Sequence, residues 1–119
     1  MPFQPLHIPR APMPTVTLDK ALRLSLGRGT IVALNISPSD YVVVSVDVEN
    51  KRLGIAKQEL AKVPGATAVK MDKRGYLGTA IGRLVASKLG MSESDLPIRF
   101  VSDGQVDEGT VHWHAFQAE

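Results

Sequence analysis

The chain has 119 residues, with 14 lysines and arginines against 12 acids, 44% hydrophobic residues and no cysteine. That length suits one ordinary domain or two very small ones sharing a core. The near-balanced charge argues against a wholly electrostatic nucleic-acid binder, and the absence of cysteine excludes disulfides, thiol catalysis and cysteine-ligated zinc. No apolar run nears the ~18 residues of a membrane helix and no signal-peptide pattern opens the chain, so the expectation is a cytoplasmic protein with no membrane association.

Residues 1–14 (MPFQPLHIPRAPMP) hold five of the eight prolines. Proline fixes φ and donates no hydrogen bond, which predicts a flexible extended arm outside the core. Its Phe3, Leu6 and Ile8 offer packing to a neighbouring subunit or a protein partner. Residues 15–19 (TVTLD) alternate as a half-buried strand does, and residues 22–26 (LRLSL) alternate perfectly, with three leucines on one face. Gly27-Arg28-Gly29 breaks the strand, and residues 30–34 fit one or two helical turns. Ser37-Pro38-Ser39-Asp40 has turn composition. Residues 41–48 (YVVVSVDV) are the strongest strand, rich in β-branched residues. Residues 49–51 turn the chain, residues 52–56 return as the partner strand, and residues 57–62 have a helical pattern that residues 63–65 end.

The pattern then begins again. Residues 67–72 (TAVKMD) and 76–81 read as strands, and residues 82–89 (GRLVASKL) as an amphipathic helix closed by Gly90. Residues 92–95 make a turn, residues 97–101 (PIRFV) a strand, and residues 110–116 (TVHWHAF) the last strand. The two halves carry matching segments. Leu18-Asp19-Lys20 aligns with Met71-Asp72-Lys73. Gly27-Arg28 aligns with Gly82-Arg83. Leu34-x-Ile36-Ser37-x-Ser39-Asp40 aligns with Leu89-x-Met91-Ser92-x-Ser94-Asp95. A β-β-α-β-β unit of this size cannot bury enough surface alone, whereas two can fuse their open edges. The expected fold is therefore mainly β with short helices: a pseudo-two-fold β-barrel over residues 15–119, made of repeats 15–57 and 67–116 joined by linker 58–66. Its core candidates are Leu18, Leu22, Leu24, Leu26, Val42, Val44, Val46, Val69, Ile81, Leu84, Leu89, Ile98 and Trp113.

Three segments of the second half, Val69-Lys70-Met71-Asp72-Lys73-Arg74-Gly75, RLVASKLG (83–90) and Met91-Ser92-Glu93-Ser94-Asp95, resemble the AbrB/MazE/SpoVT swapped-hairpin family. The first half follows the pattern more loosely, through Leu18-Asp19-Lys20 and Leu34 to Asp40. Two tandem copies are similar to the arrangement in MraZ-type proteins. The chain departs from the family at Tyr76, where Arg usually follows the hairpin Gly. It departs again at Ile81-Gly82, in place of Ile-Pro, and by a two-residue insertion before the second helix. In the first half, Ala21 follows Lys20 and no hairpin Gly is present. The resemblance implies a DNA-binding, regulator-like or antitoxin-like module.

On that basis the candidate DNA contacts are Lys20, Arg23 and Arg28 in one half, and Lys70, Lys73, Arg74 and Arg83 in the other. Lys and Arg hold phosphates, and Arg also reaches base edges. His112 and His114 share one face of the last strand and could seed a metal site, but spacing supplies no third ligand, and a solvent-facing pair with Trp113 in the core is the plainer reading. Asp103, Asp107 and Glu108 read as an acidic loop. No phosphate loop, dinucleotide fingerprint or nucleophile elbow is present, so no enzyme and no cofactor are expected. Two functions follow as expectations. One is a DNA-binding regulator that contacts the duplex backbone and is compatible with a homo-oligomer. The alternative is a non-enzymatic assembly module, such as a phage or mobile-element accessory protein, that keeps the barrel without DNA binding.

Overall fold

The computed structural model describes residues 2–6, 13–57, 65–109 and 111–119. The expected helix at 57–62, its end at 63–65 and the linker 58–66 fall largely outside them, as do parts of the N-terminal arm and Thr110. Lys57 itself closes a strand.

Eight antiparallel strands form a nearly closed barrel with two short helices. They run β1 (Thr15–Leu18), β2 (Leu24–Leu26), α1 (Arg28–Ala33), β3 (Tyr41–Asp47), β4 (Arg52–Lys57), β5 (Ala68–Lys70), β6 (Tyr76–Gly78), α2 (Thr79–Leu89), β7 (Ile98–Glu108) and β8 (Val111–Ala118). This is β-β-α-β-β twice over. The strand order is β5-β3-β4-β8-β7-β1-β2-β6. Exchanging the halves maps the pairings onto one another: β1 pairs with β7 as β5 pairs with β3. β4–β8 and β2–β6 join equivalent strands of the two halves. Each half thus lends its opening strand to the sheet of the other. The terminal strands β5 and β6 are linked by a hairpin in which Asp72 N–H donates to Tyr76 O at 3.0 Å.

The repeated motifs make the same bonds. Ser37 N–H donates to the Asp40 carboxylate at 2.7 Å, and Ser92 N–H to that of Asp95 at 2.8 Å. The helix ends also match: Asn35 (φ 53) and Gly90 (φ 67) take left-handed backbone. There Ile36 N–H reaches Ile31 O, and Met91 N–H reaches Ala86 O. Such closures satisfy carbonyls that the last helical turn leaves open. Lys51 Nζ donates to Leu89 O at the end of α2, and Lys57 Nζ to Asn35 O beyond α1. Both place a cation at the negative end of a helix.

The interior is filled from both halves by Val16, Leu18, Leu24, Val42, Leu53, Ile55, Met71, Val85, Phe100 and Phe116, all essentially inaccessible. Of the expected core, Leu22, Val44, Val46, Val69, Ile81 and Ile98 pack on it partly buried. Leu84 does not: it is 57% exposed, because α2 buries Gly82, Val85, Ala86 and Leu89 instead. Trp113 is buried but away from the main core. Strand alternation turns it to the opposite face, where it forms a satellite cluster with Val43 and Ala56. Its ring lies against Gly54, where a Cβ would stand 3.3 Å from Trp113 Cε3.

Several boundaries differ from the sequence expectation. Leu22 has φ 64 and belongs to a turn, so the second strand starts at Leu24. The strand expected over 76–81 stops at Gly78, and α2 takes over from Thr79. Asp103, Asp107 and Glu108 lie on β7 rather than in a loop, since β7 and β8 pair out to Glu108 and Val111. Hydrogen bonding across that long hairpin overrides the acidic composition.

Candidate functional site

The site is built from the two opening hairpins. In the first, the Asp19 carboxylate accepts the N–H groups of Ala21 and Arg23, each at 2.9 Å. In the second, Asp72 accepts those of Arg74 at 2.8 Å and Tyr76 at 2.9 Å. An aspartate that gathers N–H groups from the residues just after it forces the chain to reverse there. Burial pushes the Asp19 carboxyl upward, but the hydrogen bonds from the Arg23 backbone and guanidinium prevail and hold it below the usual range. The Tyr76 N–H is the main cause of the same lowering at Asp72. The left-handed residue of each turn is Leu22 (φ 64) in one and Gly75 (φ 87) in the other. Arg23 and Tyr76 are therefore structural equivalents.

The β2–β6 pair brings the two hairpins together. Ser25 sits opposite Tyr76, Leu24 opposite Gly78, and Leu26 N–H donates to Gly75 O at 2.8 Å. Two arginines, one from each half, converge on Tyr76. The Arg23 guanidinium lies 4.8 Å from the ring centroid and that of Arg74 lies 5.0 Å from it. Arg23 is further fixed by Asp19, with Nε 2.8 Å from Oδ2. Arg74 is held more loosely: its Nη2 stands 3.9 Å from Asp72, and its side chain is 73% exposed.

All seven sequence-derived cations are exposed. Lys20 and Lys73 occupy the two turns beside Arg23 and Arg74. Arg28 opens α1, Arg83 lies on α2 and Lys70 ends β5. Among the described residues no hydrogen bond or ion pair joins Arg28, Lys70 or Arg83 to the arginine pair. Sequence reasoning missed Tyr76 as the ring on which the pair converges, because only β2–β6 pairing reveals it.

The histidines are committed elsewhere. His112 Nδ1 is 2.7 Å from Asp107 Oδ1. His114 Nε2 is 2.8 Å from Ser102 Oγ, its ring stacks on Phe116, and burial lowers its pKa. Among the described residues no group of three His, Asp or Glu could hold a metal ion. On the face that carries Trp113, a cavity of about 260 Å³ is lined by Ser45, Asp47, Arg52, Val106, Glu108 and Trp113, among others. Its one guanidinium, Arg52, is already neutralised by Asp47 at 2.9 Å and Asp103 at 3.5 Å. No helix among the described residues is long and apolar enough to cross a membrane. No family model, no curated protein and no solved structure matches the chain.

Proposed function

We propose that the protein binds duplex DNA through the paired hairpins, with Lys20 and Arg23 from one half and Lys73 and Arg74 from the other. The observation that carries this reading is the convergence of Arg23 and Arg74 on Tyr76. Asp19 engages only Nε of Arg23, and Asp72 holds Arg74 loosely, so both exposed guanidiniums keep donors that suit an anionic partner. The phosphate backbone offers a row of anions, and the antiparallel β2–β6 pair puts the two turns at opposite ends of one short ladder. The resemblance to swapped-hairpin proteins points the same way. With Leu22 in the left-handed position, the first half places Arg23 where that family places its arginine.

Fluorescence-anisotropy titration of mixed-sequence duplex tests this at roughly 50 and 200 mM salt. Binding should weaken steeply between the two conditions. The double variant Arg23→Ala/Arg74→Ala should weaken it further and flatten the salt dependence. Curves that show no binding at the lower salt overturn the proposal.

One observation favours the assembly-module alternative. In the N-terminal arm, Phe3 is 84% and Leu6 is 95% exposed. Apolar side chains presented this way suit packing on a second copy or a protein partner. Light scattering of the full chain against a chain lacking residues 1–14 tests it. A smaller assembly after deletion supports the alternative, and an unchanged monomer removes it.

A further inference from the structure

Resting on the DNA-binding reading, we infer that the protein reads an asymmetric, non-palindromic duplex site, with Arg23 as its base-reading residue. Two identical hairpins related by a two-fold axis would meet matching half-sites, as symmetric dimers do. Here the backbones and aspartate clamps match, but the equivalent positions hold Arg23 and Tyr76. Only one half presents a guanidinium at that place.

Arg23 is prepared for base contact. Asp19 takes Nε, the Tyr76 ring lies against the guanidinium, and no other described residue bonds Nη1 or Nη2. Those two donors form the pair that recognises guanine O6 and N7. A side chain already fixed by two contacts loses little freedom on binding. Arg74 has the opposite character. It is mostly exposed and only loosely tied to Asp72, which suits a phosphate contact, where charge counts for more than geometry. Tyr76 is then a positioning residue, since it supports the guanidinium instead of reading a base.

Selection from a random-sequence duplex pool with the full chain tests the inference. The expected motif lacks two-fold symmetry and contains a fixed G·C pair. Arg23→Lys keeps the charge but should weaken binding to the selected duplex roughly tenfold or more, with little change on mixed-sequence duplex. Arg74→Ala should weaken both to a similar extent. Tyr76→Ala should erode the preference for the selected duplex as Arg23→Lys does, while Tyr76→Phe should retain it. A palindromic motif, or Arg23→Lys weakening both duplexes equally, overturns the inference and leaves DNA binding standing. Absence of salt-dependent binding to any duplex removes both together.

Discussion

The two opening hairpins share a backbone and an aspartate clamp, yet they solve the packing of their turns in opposite ways. At the first, the backbone of Leu22 lies directly against α2. A Cβ on Gly82 of α2 would stand only 2.0 Å from Leu22 O. At the second, the glycine is the turn residue itself. A Cβ on Gly75 would meet Leu26 O at 2.8 Å and Ile31 Cδ1 of α1 at 3.4 Å. In both places a backbone carbonyl approaches too closely for a Cβ, that of Leu22 against α2 and that of Leu26 against the second turn. The first turn therefore needs its glycine on the helix above it, and the second needs it within the turn.

Filling these close approaches of backbone to backbone should cost most. Gly82→Ala forces α2 away from the first hairpin, with an expected loss of about 3 kcal/mol in urea unfolding. An unchanged midpoint would mean that α2 does not seat on Leu22. Gly75→Ala should cost less, about 2 kcal/mol, from its left-handed backbone and the nearby Leu26 carbonyl.

The clamps come next. Asp19 and Asp72 are held below the ordinary carboxylate value of 3.8. A lowered pKa in the folded state gives stability that is complete above the unfolded value and is lost as pH falls through the folded one. The contribution of the clamps should thus hold steady from neutral pH down to about 5 and drop below about 4, beneath a separate and shallower decline from about 6.5 downward caused by His114, whose pKa burial lowers. Asp72→Asn keeps an acceptor but no charge, so it should lower the midpoint at pH 7 by less than either glycine variant and make the acid decline shallower. An acid decline identical to that of the parent chain would count against the clamp. Leu22→Gly should have the smallest effect, within about 1 kcal/mol. Relief of the left-handed leucine and loss of its partly buried side chain oppose each other with similar size. A loss as large as that of Gly82→Ala would show that the Leu22 side chain, which packs partly buried on the core, outweighs its left-handed backbone.

The same contrast governs how much of the site could be read in advance. Asp19 and Asp72 were legible as matching positions of the repeat, and the cations beside them followed from the family resemblance. That the two aspartates clamp N–H groups two and four residues on emerged only with the structure. The equivalence of Leu22 with Gly75 was not legible, since alternation in LRLSL favours a strand starting at Leu22, and the Asp19 clamp turns that residue instead. Trp113 shows another limit. Alternation separates it correctly from His112 and His114, but not which face of β8 turns to the barrel interior. Packing against Gly54 and Val43 decides that.

The sequence by itself determined the order of elements, their doubling, the two Ser-x-Ser-Asp turns and the leucines of β1 and β2 that fill the interior. Each depends on short-range hydrogen bonding or on the alternation of apolar residues, which a local segment carries whole. Only the tertiary structure decided that β1 pairs with β7, β5 with β3 and β2 with β6, and so that Arg23 and Arg74 meet on one ring. Strand edges present the same backbone donors and acceptors whatever their sequence. Pairing between distant strands is therefore settled by which arrangement closes the barrel over its shared core.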